Sequence, residues 1–282
     1  MILHDITHLI DIALKEDIGS GDITTDNLVA PELKGKGRMV AKESMILAGL
    51  DIAKQVFLHL QPDTVFRSGF SDGDIIRAGD ILLEIEGQLR TLLIGERTAL
   101  NFLQRMSGIS TNVRSYVNAL SASKVRLVDT RKTIPGWRTL EKYAVRVGGG
   151  YNHRIGLYDG ILIKDNHIAV SGGITNAVSR IRKKCTHLLK IEVETTNLTE
   201  VQEALDTKVE VIMLDNMTVN QIKEAVRLIG GRALVEVSGG VTLEALAALA
   251  DTGIDIISSG ALTHSARSMD ISMSIDPLDE PS

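Results

Sequence analysis

From about Val125 onward the chain repeats one pattern: a short apolar run, a polar residue at its end, then a helical stretch. The runs are VRLVDT, GILIKDN, LLKIEVET, VEVIMLDN, ALVEVSGG and IDIISSGA, and helices of about ten residues are predicted between the last four. Thr199 with Gln202 and Thr218 with Gln221 read as capping boxes, and Gly230, Gly231 and Gly253 stand where helix C-caps are expected. Near-continuous apolar strands joined by helices predict a parallel sheet covered by helices. The steps from Asp215 to Ser238 to Ser259 are 23 and 21 residues, close to the minimum for a βα unit. Six or seven such units predict a barrel, whole or incomplete, because eight normally need about 250 residues.

Before that repeat, from Met1 to Ser110, helical and strand periodicities mix. LIDIALKED reads as helix, and GKGRMVAKESMILAGL as two short strands around a turn. SDGDIIRAGDILLEIEG alternates apolar and polar residues between Gly73, Gly79 and Gly87, which predicts a hairpin. That hairpin resembles those of biotinyl and lipoyl carriers, but it holds no lysine for attachment, which argues against a carrier. ERTALNFLQRMSGIS predicts an amphipathic helix with Ala99, Leu100, Phe102, Leu103 and Met106 on one face. Arg97 lies near its predicted start, where a cation opposes the helix dipole. The expected division is a first domain over 1–110 and a barrel domain over 111–269. The segment 270–282 is expected to return to the first domain before an acidic tail frays.

A chain of 282 residues, 44% hydrophobic, can bury a sizeable core. MILHDITHLIDIALKEDIG is interrupted by polar residues, so neither a signal peptide nor a membrane span is expected, and the cytoplasm is the default. The single cysteine, Cys185, excludes an internal disulfide or CxxC site and reads as a buried or half-buried helical thiol. The seven histidines form no HExxH pair, which argues against a protein-held zinc, and nine aromatics offer little for stacking nucleic-acid bases. Charge changes the picture more. Between Arg131 and Lys164 lie seven Lys or Arg against two acids, in a chain of net charge −5. Such a local positive focus suits a small polyanion.

The polar residues ending the apolar runs are Arg131 with Lys132, Lys164, Glu194, Asp215, Ser238 with Gly239 and Gly240, and Ser259 with Gly260. In a parallel barrel these ends open on one face and would converge on one pocket. Arg131, Arg154 and His153 read as carboxylate or phosphate ligands, and Arg138 as either a third clamp or, slightly favoured, a surface charge. Lys132 and Lys164 suit phosphate oxygens or a pyrophosphate leaving group. Glu194 and Asp215 do not belong in a purely anion-binding pocket; they suit Mg²⁺, ribose hydroxyls or a developing cation. The glycine-flanked serines offer unobstructed backbone amides for a phosphate. A phosphorylated sugar fits all these needs.

The order of DTRKTIPGWRTLEKYAVRVGGGYNHRIGLYDGILIKDNHI, IEVET, IMLDNM, VSGGV and SSGALTHS, with ALKEDIGSGDITT and ERTALNFLQRMSGIST before them, resembles the quinolinate phosphoribosyltransferase family across nearly the whole chain. The resemblance implies an N-terminal α/β sandwich followed by an open α/β barrel. It also implies a homodimer or larger assembly in which Arg97 reaches the neighbouring subunit's site. It implies that Arg97, Arg131, His153 and Arg154 hold the two carboxylates of quinolinate, and that Lys132 and Lys164 lie between it and phosphoribosyl diphosphate. Glu194 and Asp215 would meet the ribose hydroxyls and Mg²⁺, and Ser238, Gly239, Gly240, Ser259, Gly260 and His264 the 5′-phosphate side. Ile134 stands where threonine is common, and VSGG replaces ASGG; neither removes a charge. Three alternatives remain at this point: a pyrophosphorylase-like protein linked to molybdenum transport, a Schiff-base barrel aldolase using Lys164, and a non-enzymatic anion-binding protein.

Overall fold

The computed structural model describes residues 3–278. Its strands, in chain order, are β1 Lys34–Ala41, β2 Met45–Ile46, β3 Val65–Arg67, β4 Ile75–Ile76, β5 Ile81–Gln88, β6 Arg126–Val128, β7 Ile161–Ile163, β8 Ile191–Thr195, β9 Val211–Asp215, β10 Leu234–Ser238, β11 Ile256–Ser258 and β12 Ile271–Pro277. The chain forms two compact units, Met1–Asn112 with Thr139–Gly148 and Ala266–Ser282, and Val113–Arg138 with Gly149–Ser265.

In the first unit four strands form an antiparallel sheet ordered β12-β1-β5-β3. Strand β1 alternates exposed and buried positions, so Met39 and Ala41 enter the core. The helix Leu50–Leu60 buries Ile52, Ala53, Val56 and Phe57 along one stripe. The long helix Leu89–Ala119 begins well before Arg97, which sits past its second turn with a side chain 60% exposed. Gly95 lies so close to Phe57 that a Cβ there would stand 2.8 Å from the ring. One prediction of local pairing fails. Strands β4 and β5 do not form a hairpin, because β4 pairs with β2 while β5 joins β1 and β3. Strands β1 and β2 are the two expected in GKGRMVAKESMILAGL, and they join different sheets. The hydroxyls of Ser110 and Thr111 bind the backbone of Ile46, and that of Ser107 binds Ala48, carrying β2 on the long helix.

The segment Thr139–Gly148, expected in the barrel, belongs to this first unit. Arg105 donates to buried Glu141 at 2.7 Å and Tyr143 to Asp72 at 2.7 Å, which hold it there. Strand β12 pairs antiparallel with β1 from Ala41↔Ile271 to Gly35↔Pro277, while the expected frayed tail at 279–282 lies outside the described residues.

The second unit carries six parallel strands in the order β6-β11-β10-β9-β8-β7. β6 and β7 end the sheet, and Tyr151 alone bridges to Val128 beside β6, so the barrel is open. Interior burial on both faces explains the apolar runs: all of Val211, Ile212, Met213 and Leu214 are buried. Thr218 and Gln221 form the expected capping box and Gly230 the left-handed C-cap. The preceding helix, Leu198–Asp206, is capped instead by Asn197, because its side chain reaches the amide of Glu200 and Thr199 falls inside the first turn. Cys185 is exposed and ends its helix, contrary to the expected buried or half-buried thiol. No helix among the described residues is long and apolar enough to cross a membrane.

Candidate active site

The parallel register sets the site. Ser238 lies beside Asp215, and Glu194 beside Met213, so the carboxyl ends of β8, β9 and β10 deliver their polar residues to one level. There the second unit opens a cavity of about 700 Å³. Arg131, Lys132, His153, Arg154 and Lys164 line it, with Glu194 and Asp215. Ser238, Gly239, Gly240, Ser259, Gly260 and His264 also line it, and Glu236 and Ser258 reach it from deeper in the unit. Of the seven bases between Arg131 and Lys164, four reach the cavity. Arg138 instead donates to Thr133 and to the carbonyl of Ile155, and so stiffens the neighbouring loop. Arg97 belongs to the first unit and does not line this cavity.

Among the described residues, Arg131, Lys132 and Arg154 make no ion pair with a carboxylate, which leaves their charge for a ligand. Burial, and then the neighbouring Arg131, push the Arg154 guanidinium below its ordinary value. One arginine donor also binds the carbonyl of Gly160 at 3.0 Å, which aims the group. Lys164 is less free, since its ammonium donates to Glu194 at 2.8 Å. That pair neutralises part of the cavity. The side chain of Asn216 donates to Asp215 at 2.8 Å from a left-handed backbone, φ 53°. Its own oxygen would lie 2.2 Å from a Cβ at Gly239, whose φ is 88°, so only glycine fits there. Lys132 packs on Gly260, where a Cβ would meet its side chain at 2.7 Å.

Beneath these groups lies a polar layer that the motif reading missed. His153 Nε2 stands 3.0 Å from Glu192 and 3.6 Å from Glu236. His153 Nδ1 accepts the amide N–H of Arg154 at 2.8 Å, so the ring proton sits on Nε2. Both ring nitrogens are therefore engaged within the chain, although His153 also lines the cavity. Asp129, wholly buried, accepts the amide of His153 and the side chain of Asn152. Burial, and then the Glu192 carboxylate, push Glu236 up to about 7 against the opposing pull of His153. The sequence did carry a signal: IEVET and VEVSG place Glu192 three residues and Glu236 two residues before their strand ends, each flanked by apolar residues in a buried run.

The His153, Glu192 and Glu236 group could hold a metal by proximity, its ligand atoms lying within 4.8 Å of one another. Glu194 and Asp215 are different. They stand at the cavity wall on neighbouring strands, and two carboxylates suit an Mg²⁺ that keeps waters and arrives with substrate phosphates.

A cavity at the carboxyl ends of parallel strands, with arginines and lysines set against carboxylates and glycine-flanked serines, defines an α/β-barrel enzyme acting on small phosphorylated and carboxylated molecules. Residues 22–107 match the N-terminal domain of quinolinate phosphoribosyl transferase and residues 109–274 its C-terminal domain, and the chain belongs to that family. It is 47% identical over 265 residues to the probable nicotinate-nucleotide pyrophosphorylase [carboxylating] of Synechocystis, covering 93% of this chain and 90% of the relative. The Bacillus subtilis protein of the same name is 44% identical, over 92% of this chain and 90% of that one. The structure of NadC from Streptococcus pyogenes superposes with a TM-score of 0.95 at 42% identity, covering 99% of each chain.

Proposed function

We propose that this chain transfers the phosphoribosyl group of phosphoribosyl diphosphate to quinolinate and decarboxylates the product, giving nicotinate mononucleotide, pyrophosphate and CO₂. The observation that carries the reading is the meeting of unpaired arginines, a lysine–glutamate pair and glycine-flanked serines in one cavity. Arg131 and Arg154 take the substrate carboxylates, each with a planar fork suited to bidentate contact. Arg97 joins them from a second copy of the chain in a homodimer acting in the cytoplasm. Ser238, Gly239, Gly240 and Gly260 present backbone amides to the 5′-phosphate, with His264 beside them and Ser259 beneath.

The pyridine nitrogen attacks C1 of the ribose as pyrophosphate leaves. Lys132 and Lys164 stabilise the charge building on the departing oxygens, and Glu194 and Asp215 stabilise the cationic ribose. Glu194 and Asp215 would also hold a substrate-borne Mg²⁺, whose positive charge helps neutralise the diphosphate. Carbon 2 then loses CO₂; the bonding electrons are stabilised by the adjacent quaternary nitrogen, and the carbon takes up a proton. No side-chain nucleophile is needed, because orientation and charge placement supply the catalysis. The ion pair of Lys164 with Glu194 weighs against a Schiff-base role.

Incubating the protein with quinolinate, phosphoribosyl diphosphate and Mg²⁺, and following nicotinate mononucleotide by chromatography, tests this directly. Product from quinolinate and none from nicotinic acid is expected. Product from nicotinic acid alone, or from neither acid, would refute the proposal.

A further inference from the structure

The polar layer beneath the cavity takes no part in the chemistry just described. Branched apolar residues ordinarily fill the interior layers of a parallel barrel. Here β8 and β10 place Glu192 and Glu236 inside, 8% and 2% exposed. Each glutamate keeps one carboxylate oxygen without a hydrogen-bond partner, as does the buried hydroxyl of Ser258. Buried charge so poorly satisfied works against folding, and an apolar pair would serve stability better.

The ring of His153 points to the task. Its Nε2–H faces both glutamates at 3.0 and 3.6 Å, while Nδ1 holds the amide of Arg154 at 2.8 Å. The ring thus ties the carboxylate layer to the backbone of an arginine that lines the cavity. We propose that Glu192 and Glu236 are positioning residues for quinolinate recognition, which hold His153 in its Nε2–H tautomer and through it set the Arg154 guanidinium. The inference rests on the reading of the cavity as a quinolinate site. His153 then acts as a strut between the glutamates and Arg154, and its effect falls on the acid substrate and spares phosphoribosyl diphosphate.

The test compares Glu192→Gln with Glu192→Met in the full chain, with the same pair at Glu236. Gln keeps an oxygen that accepts from Nε2–H, whereas Met keeps the volume without an acceptor. Glu192→Met should raise the quinolinate KM about tenfold, the size usual when a partner orienting a ligand group is lost. The KM for phosphoribosyl diphosphate should stay near wild type and the unfolding midpoint should not fall, and Glu192→Gln should restore the quinolinate KM. Equal behaviour of Gln and Met, or tighter quinolinate binding in both as relief of charge repulsion would give, overturns the proposal. Nitrogen-15 NMR of the histidine rings, with His153 assigned by its loss in His153→Asn, supplies a readout independent of the Met variants' folding. A protonated Nε2 with a bare Nδ1 is expected in the wild type, and an imidazolium or an Nδ1–H ring overturns the inference. Wild-type turnover of quinolinate is the control: its absence sinks the assigned reaction, whereas an active wild type with an indifferent Glu192→Met sinks only the positioning role.

Discussion

The two units treat charge in opposite ways. In the first, buried or half-buried ions are matched within the unit: Arg105 with Glu141, Asp72 with Tyr143 and two backbone amides, Glu43 with Arg267. Arg267 and the amide of Asp270 hold Glu43 down at about 2. In the second, Arg131, Lys132 and Arg154 face a cavity without carboxylate partners, and two glutamates are buried side by side. Matched charge anchors segments that are distant in sequence, whereas unmatched charge is retained at a cost because a ligand completes it. The same residue types therefore mean different things in the two units.

The comparison breaks most visibly at its two arginines. Arg131→Ala should lower kcat/KM for quinolinate by about a thousandfold, roughly 4 kcal/mol, while circular dichroism stays unchanged. An unchanged quinolinate affinity would refute the clamp. Arg105→Ala should do the reverse. It removes a charged donor from Glu141, which is wholly buried, and should cost about 3 kcal/mol of stability in a denaturant titration.

A pH series sharpens the contrast. Glu236 is raised from 4.5 to about 7, so the folded chain binds more protons than the unfolded one between those values. Stability from this group is complete below pH 4.5 and falls as pH rises through 7, by on the order of 3 kcal/mol. Glu236→Gln should flatten that fall, so its unfolding midpoint should gain on the wild type between pH 5 and 8. Parallel curves would contradict the buried-acid assignment. The smallest expected effect is that of Glu194→Gln, a loss of about thirtyfold in kcat, roughly 2 kcal/mol, with substrate KM values nearly unchanged. An equal loss in affinity would count against a role in the transition state.

Much of the second unit was legible because its local signals agree. Each parallel strand is buried on both faces, so it reads as an apolar run, and the polar residue that follows reads as a site. The first unit was less legible. Alternation identified β1 and β5 but not their partners, since β4 crosses to β2 and β12 arrives from the far end of the chain. Thr199 failed as a cap because Asn197, two residues earlier, competes for the same helix start.

Residue order alone determined the apolar runs, their polar ends and the motifs that place the chain in its family, because these depend on neighbours within a strand or turn. Only the tertiary structure decided which cations stay unpaired, which strand completes which sheet, and that two glutamates meet His153 under the cavity. Those outcomes depend on groups far apart in the chain, such as His153 and Glu236, and no local preference encodes a distance of 3.6 Å between them.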